Sequence, residues 1–359
     1  MDRIKATYRI AGTAGDARAR AEALATEQSV EMPLEAIGDA VVLRDVVARV
    51  EEVREHAGHA DVDIGIAADT TGHEASQLLN MLFGNCSLQP DVQLVDVRFP
   101  AGFEAHFPGP RFGIPGLRQL AGVEGRAFTC AALKPQGSSP AHLAGLAAAF
   151  TRAGIDVVKD DHGIANTSWG GFAARVPAVQ HAITRTNRET GGNTLYAPIF
   201  SGGPRALSEQ ARVARECGVR LALVAPMLVG LPTFVELQLD LDIPLIAHPA
   251  MAGSARIAPE ILLGRLFRLL GADATIFPNH GGRFSYSRET CLAIADAARA
   301  PWSGVEATLP VPAGGMSVER VPEMIADYGR DTMLLIGGGL LAAGDRLPER
   351  ARAFVSAVR

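Results

Sequence analysis

Apolar positions follow two rhythms along this chain, and the change between them divides it. Residues 4–10, IKATYRI, alternate as a strand does, and residues 16–27 form an alanine-rich amphipathic helix entered through a glycine-containing turn. An apolar run at 41–48 and a helix-like segment at 51–56 come next. They are followed by an alternating strand at 61–67, a helix at 74–83 ending at Gly84-Asn85, and a strand at 92–99. Helices and strands are unevenly interleaved, an α+β pattern. Residues 102–116, GFEAHFPGPRFGIPG, hold several glycines and prolines and no hydrophobic period, as a linker does. The boundary is expected near residue 110, with an N-terminal α+β domain over 1–110 and a second domain over 111–359.

Beyond residue 110, short apolar strands alternate with helical segments. The strands are expected at 127–133, 155–159, 194–199, 221–225, 243–247, 272–277, 305–309 and 332–336, with helical stretches such as 140–153, 208–217 and 258–270 between them. Eight strands in a domain of about 250 residues predict a (β/α)8 TIM barrel. In such a barrel the reacting groups stand just after the strands. Those positions read Lys134-Pro135-Gln136 after the first, Lys159-Asp160-Asp161-His162 after the second and His248-Pro249 after the fifth. After the sixth, seventh and eighth they read Asn279-His280-Gly281-Gly282-Arg283, Gly314-Gly315 and Gly337-Gly338-Gly339. Charged, imidazole and glycine residues therefore converge on one rim.

Composition narrows the function class. A net charge of −5 offers no general attraction for nucleic acid or an anionic membrane, so an anionic ligand must be caught locally. Cys86, Cys130, Cys217 and Cys291 form no CxxC pair, which points to reduced thiols in a cytoplasm rather than a disulfide framework. There is no apolar leader and no run of 18 apolar residues, so neither export nor a membrane span is expected.

The candidate chemistry centres on residues 154–166, GIDVVKDDHGIAN, where a buried strand runs into four ionisable side chains. Two carboxylates beside an imidazole can ligate a divalent ion, and a lysine among acids can act as a base or be modified. A solvated strand end making ion pairs is the plain alternative. The glycine pairs of the last two loops suit backbone N–H groups binding a phosphate, although tight turns also use glycine. His248 and His280 are open to a simple hydrogen-bonding role, Asn85 to capping the helix before it, and Arg283 to a surface ion pair.

Five segments, LKPQG at 133–137, GIDVVKDDH at 154–162, HPAMAG at 248–253, PVPAGG at 310–315 and LIGGG at 335–339, resemble in order and spacing the barrel of ribulose-1,5-bisphosphate carboxylase/oxygenase, RuBisCO. LNMLFGN at 79–85 resembles the part of its N-terminal domain that carries an active-site asparagine. The resemblance implies that Lys134 moves protons on an enediolate, and that Lys159, as a carbamate, binds Mg2+ with Asp161. It also implies that Gly314, Gly315, Gly337 and Gly338 hold one phosphate, and that Asn85 reaches the site of a partner in an antiparallel homodimer.

The departures fall on carboxylation and on the second phosphate. Gln136 replaces a lysine, His162 a metal-binding glutamate and Pro249 an arginine, and the sixth loop offers Arg283 and His280 as candidates for binding the substrate or its phosphate but no lysine. Imidazole suits Zn2+, Mn2+ or Fe2+ better than Mg2+, so His162 either changes the metal as a third ligand or abolishes carbamate-dependent metal binding; without a metal it is open to an acid/base role. Together with residues 25–33 and the NHGGRF loop, these differences resemble the RuBisCO-like proteins, which do not fix CO2. Asn85 stands where the enolase members carry lysine, which disfavours that activity. The resemblance therefore implies isomerisation, tautomerisation or decarboxylation of a phosphorylated sugar or sugar acid, with Lys134, Lys159, His162, His248 and Asn85 as the catalytic group. The alternative from another class is a non-catalytic sugar-phosphate-binding barrel. A true carboxylase is disfavoured by Gln136 and the missing loop lysine.

Overall fold

Ile4, Ala6, Tyr8 and Ile10 are fully buried, and the residues between them turn to a polar face, so the first strand has one core side. The computed structural model describes residues 2–12 and 15–359. It divides into two units, Met1–Pro108 with Met251–Leu262, and Gly109–Ala250 with Leu263–Arg359. In the first unit β1 (Arg3–Ala11), β2 (Arg49–His56), β3 (His59–Ala67) and β4 (Val92–Arg98) form an antiparallel sheet in the order β2-β3-β1-β4. The same unit contains α1 (Ala17–Glu27) and α2 (Ala75–Phe83), and the buried Tyr8 hydroxyl donates to the Leu82 carbonyl at 2.7 Å.

Two local expectations fail here. Residues 51–56 are strand rather than helix: EEVREH favours helix by propensity, but a two-residue turn at Ala57-Gly58 folds it back onto β3, and the cross-strand ladder decides. The presumed linker is also more ordered than its composition suggests. Phe103–His106 forms a 3-10 turn, and α3 (Gly113–Ala121) starts inside the glycine- and proline-rich stretch. The helix start is fixed by Asp273 Oδ1, which accepts the Phe112 and Gly113 N–H groups at 2.8 Å each from 160 residues away in sequence.

The second unit is the (β/α)8 barrel. Its strands are β5 (Phe128–Leu133), β6 (Val157–Asp160), the pair β7 (Leu195–Ala197) and β8 (Ile199–Phe200) that Pro198 splits, β9 (Ala222–Val224), β10 (Leu245–Ala247), β11 (Ala274–Pro278), β12 (Leu309–Ala313) and β13 (Met333–Ile336). Parallel ladders run β13-β5-β6-β7 and β8-β9-β10-β11-β12. The seventh strand therefore lies four residues beyond the expected 305–309. Leu309 donates to the Asp273 carbonyl and Asn279 to that of Ala313, so alternate residues of β12 face β11. Pro310 and Pro312 fall on the other side, where a missing N–H costs the β11 ladder nothing.

Helices follow the strands for local reasons. In α4 (Pro140–Ala153), Ser139 accepts the His142 N–H, proline opens the first turn and Gly154 closes the helix in the left-handed region. The site also depends on α5 (Phe172–Thr190). Among the described residues no helix is long and apolar enough to cross a membrane.

Candidate active site at the ends of the barrel strands

β6 ends in four consecutive buried residues, and its alternation sends neighbouring side chains to different layers. Asp160, fully buried, points to the helical layer, where it accepts from Arg175 of α5 at 3.1 Å, from the Tyr196 hydroxyl at 2.8 Å and from the Ile199 N–H at 3.1 Å. Burial pushes its carboxyl up, and Arg175, Tyr196 and Ile199 oppose that. The first aspartate of the KDD run thus serves as an anchor, while Lys159 and Asp161 turn to the opposite face.

Asp161 Oδ1 receives Lys134 Nζ at 2.5 Å and faces His162 Nδ1 at 3.5 Å. Burial alone would raise this carboxyl, but the hydrogen bonds from His162 and Lys134 and the charge of Lys134 hold it well below the usual carboxylate range. Both partners crowd one oxygen. Asp161 Oδ2 instead faces Gly163, where an added Cβ would also meet Gln136 Oε1. Lys159, 3% exposed, donates to the Asp160 carbonyl at 2.9 Å. Burial pulls its pKa down, the charge of Lys134 adds to that, and Cys130, Asp161 and Asp160 work against it.

The His248 ring stacks on that of His162, with centroids 4.3 Å apart. Burial, followed by the charge of Lys159, lowers its pKa to about 2, so the imidazole is neutral at ordinary pH. Its Nδ1 accepts the Ala250 N–H at 3.1 Å, which puts the remaining proton on Nε2. Cys86 and Cys130 make poor nucleophiles, since burial pushes both thiols up to about 12.

Gly337 stands beside this cluster, the position of its missing Cβ lying 3.6 Å from Lys134 Cε, while that of Gly338 faces open space. Gly314 and Gly315 adopt φ of +87° and +89°, a region that disfavours side chains, and they meet the sixth loop closely. The Gly314 carbonyl accepts from Arg283 N–H at 3.2 Å, and a Cβ on Gly282 would lie 1.9 Å from that same oxygen. The Arg283 side chain is exposed over the Phe284 ring. His280 directs Nε2 to Asp327 at 2.9 Å. Asn85 lies in the other unit, where its amide donates to Glu27 at 2.9 Å and Gly84 holds the helix-capping position.

The structure thus brings Lys134, Lys159, Asp161, His162, His248 and Gly337 together. The sequence reading missed Arg175, Tyr196 and the anchoring role of Asp160. The one available signal was strand alternation, which puts Asp160 on the opposite face from Lys159 and Asp161. A cavity of about 580 Å3, lined by Arg188, Thr194, Cys217 and Arg220 among others, opens instead where β7 and β9 begin.

Residues 113–279 match the family described as ribulose bisphosphate carboxylase large chain, catalytic domain. The chain is 51% identical to the 5-methylthioribulose-1-phosphate isomerase of Rhodospirillum rubrum, covering 99% of this chain and 96% of that one. It is 34% identical to the 2,3-diketo-5-methylthiopentyl-1-phosphate enolase of Geobacillus kaustophilus over 78% of this chain and 70% of the relative. It superposes on the crystal structure of a Rubisco-like protein from Rhodopseudomonas palustris with a TM-score of 0.94 and 49% identity, covering 100% of this chain and 98% of that one.

Proposed function

This chain belongs to the ribulose bisphosphate carboxylase large-chain family, among its RuBisCO-like proteins, and from that premise we propose that it isomerises a phosphorylated keto sugar, 5-methylthioribulose 1-phosphate or a close analogue, without fixing CO2. The observation that carries this reading is the Lys134–Asp161 pair, 2.5 Å apart at the ends of adjacent barrel strands. A carbonyl acidifies its neighbouring C–H. Loss of that proton moves the electron pair onto the carbonyl oxygen as an enediolate; return of a proton to the former carbonyl carbon, with the neighbouring hydroxyl giving its proton to the first oxygen, relocates the carbonyl. Asp161 fixes Lys134 Nζ as the group that exchanges the proton. Buried Lys159, biased toward the uncharged amine, is the second group able to take one. The neutral His248 supplies an Nε2–H donor for a substrate oxygen.

The donors fit a divalent ion on one condition. Asp161 keeps Oδ2 and His162 offers a nitrogen, while Lys159 becomes an oxygen ligand only as a carbamate, which the downward push of burial on its amine favours. When bound, Mg2+ would polarise the substrate carbonyl and stabilise the enediolate charge. Gly314, Gly315, Gly337 and Gly338 take the single phosphate, with the open space beside Gly338 supporting close approach. Among the described residues, His280 is already bonded to Asp327 and Pro249 stands in place of an arginine, so neither offers a strong contact to a second phosphate. The protein works as a homodimer in a cytoplasm, Asn85 of one subunit completing the site of the other. The unpaired thiols and the family resemblance support that arrangement.

The test is proton NMR of 5-methylthioribulose 1-phosphate with the protein in D2O. The C–H beside the carbonyl should exchange as the isomer appears, and Lys134→Ala should slow both by about 10²–10⁴-fold. Phosphate-ester binding without exchange would make this a binding protein and overturn the proposal.

A further inference from the structure

We propose that the tip of the β2–β3 hairpin is a binding site for a divalent cation of the Zn2+ class, held by His56, His59 and Asp61. This inference is independent of the proposed isomerase activity.

His56 and His59 are cross-strand partners on either side of the Ala57-Gly58 turn, and Asp61 lies two residues along β3 on the same face of the sheet. The two imidazoles stack with centroids 4.8 Å apart. Their Nε2 atoms lie 3.9 Å and 4.0 Å from the Asp61 oxygens, too far for hydrogen bonds. Donors sharing one ion tetrahedrally at bond lengths of about 2.0–2.2 Å are separated by roughly 3.3–3.6 Å. The gap is thus the size a cation bridges after a shift of tenths of an ångström. All three ligand atoms already lie within 4.8 Å of one another.

The rest of this polar face is satisfied by protein partners. Asp63 is held by Lys5, Arg54 and Thr7, each at 2.8 Å at closest. Among the described residues no hydrogen bond reaches either imidazole. Asp61 does pair with Arg9, at 2.8 and 2.9 Å, but each carboxylate oxygen retains a second lone pair, and the half-exposed Arg9 has room to yield. Two imidazoles and a carboxylate favour Zn2+, Ni2+ or Cu2+ over Mg2+.

The comparable triplet of His280, Glu323 and Asp327 lacks this openness. There the histidine bonds Asp327 at 2.9 Å, and Arg288 and Arg320 occupy the carboxylates.

The test is equilibrium dialysis against Zn2+ at neutral pH, with melting curves recorded in Zn2+ and in EDTA, on wild type, a His56→Ala/His59→Ala double variant and His59→Gln. Wild type should retain one more equivalent of Zn2+ than the double variant, and Zn2+ should raise the melting temperature of wild type more than that of the double variant. His59→Gln, which keeps a polar side chain if the double variant folds poorly, should weaken that equivalent roughly tenfold or more. Equal Zn2+ content and equal melting shifts in all three proteins would overturn the site.

Discussion

At the scale of the residue, the centre depends on which groups the fold keeps neutral. An unfolded histidine takes its proton near 6.5, whereas burial pushes His248 down to about 2. Between those values the unfolded chain binds a proton that the native state refuses. His248 therefore contributes stability that is present above 6.5 and is lost as the pH falls toward 2. Wild type should lose stability with falling pH more steeply than His248→Asn, by up to one proton, or about 1.4 kcal/mol per pH unit, through the middle of that window. Urea unfolding of both proteins at a series of pH values checks this, and parallel slopes would remove the case for a neutral His248. Asp161 works in the same sense for its own reason, its low carboxyl being held by Lys134 and His162.

At the scale of the element, glycines in neighbouring loops have different tasks, and substitution separates them. A methyl group on Gly282 would run into the Gly314 carbonyl 1.9 Å away, so Gly282→Ala must displace the sixth loop from the seventh. Its expected cost is about 1–3 kcal/mol of stability, visible as a lower melting temperature. Gly338 has nothing within 4 Å of the same position. Gly338→Ala should therefore melt like wild type and yet raise the KM for a phosphorylated substrate roughly tenfold, because the methyl group would occupy space that a phosphate needs. An unchanged KM in that variant would place the phosphate elsewhere.

At the scale of the whole molecule, the proposal requires a dimer with shared sites. Lys134→Ala and Asn85→Ala subunits, each inactive alone, should recover about a quarter of wild-type activity when mixed after unfolding and refolding, since random pairing leaves one intact site in each mixed dimer. Failure to recover activity, with mixed dimers demonstrated, would confine each site to one subunit. The seventh strand also shows its logic only at this scale. Pro310 and Pro312 look like breakers in sequence, yet they sit where the β11 ladder asks nothing of them.

The strand count of the barrel, the rim where charged and imidazole residues converge and the family were legible along the chain, because strand alternation and the residues after each strand are local properties. It was equally legible that Lys134, Lys159 and Asp161 belong together, through five motifs kept in order. Alternation separates the two aspartates by face, but which one anchors the strand and which holds the lysine is fixed only by packing. That choice depends on Arg175 and Tyr196, which are 15 and 36 residues from Asp160. The same holds for residues 51–56, whose helix-favouring composition yields to pairing with β3, and for α3, whose start is fixed by the distant Asp273. Local pattern specifies which face of a segment is apolar, but the partner that completes its hydrogen bonds and charges is set when distant segments meet.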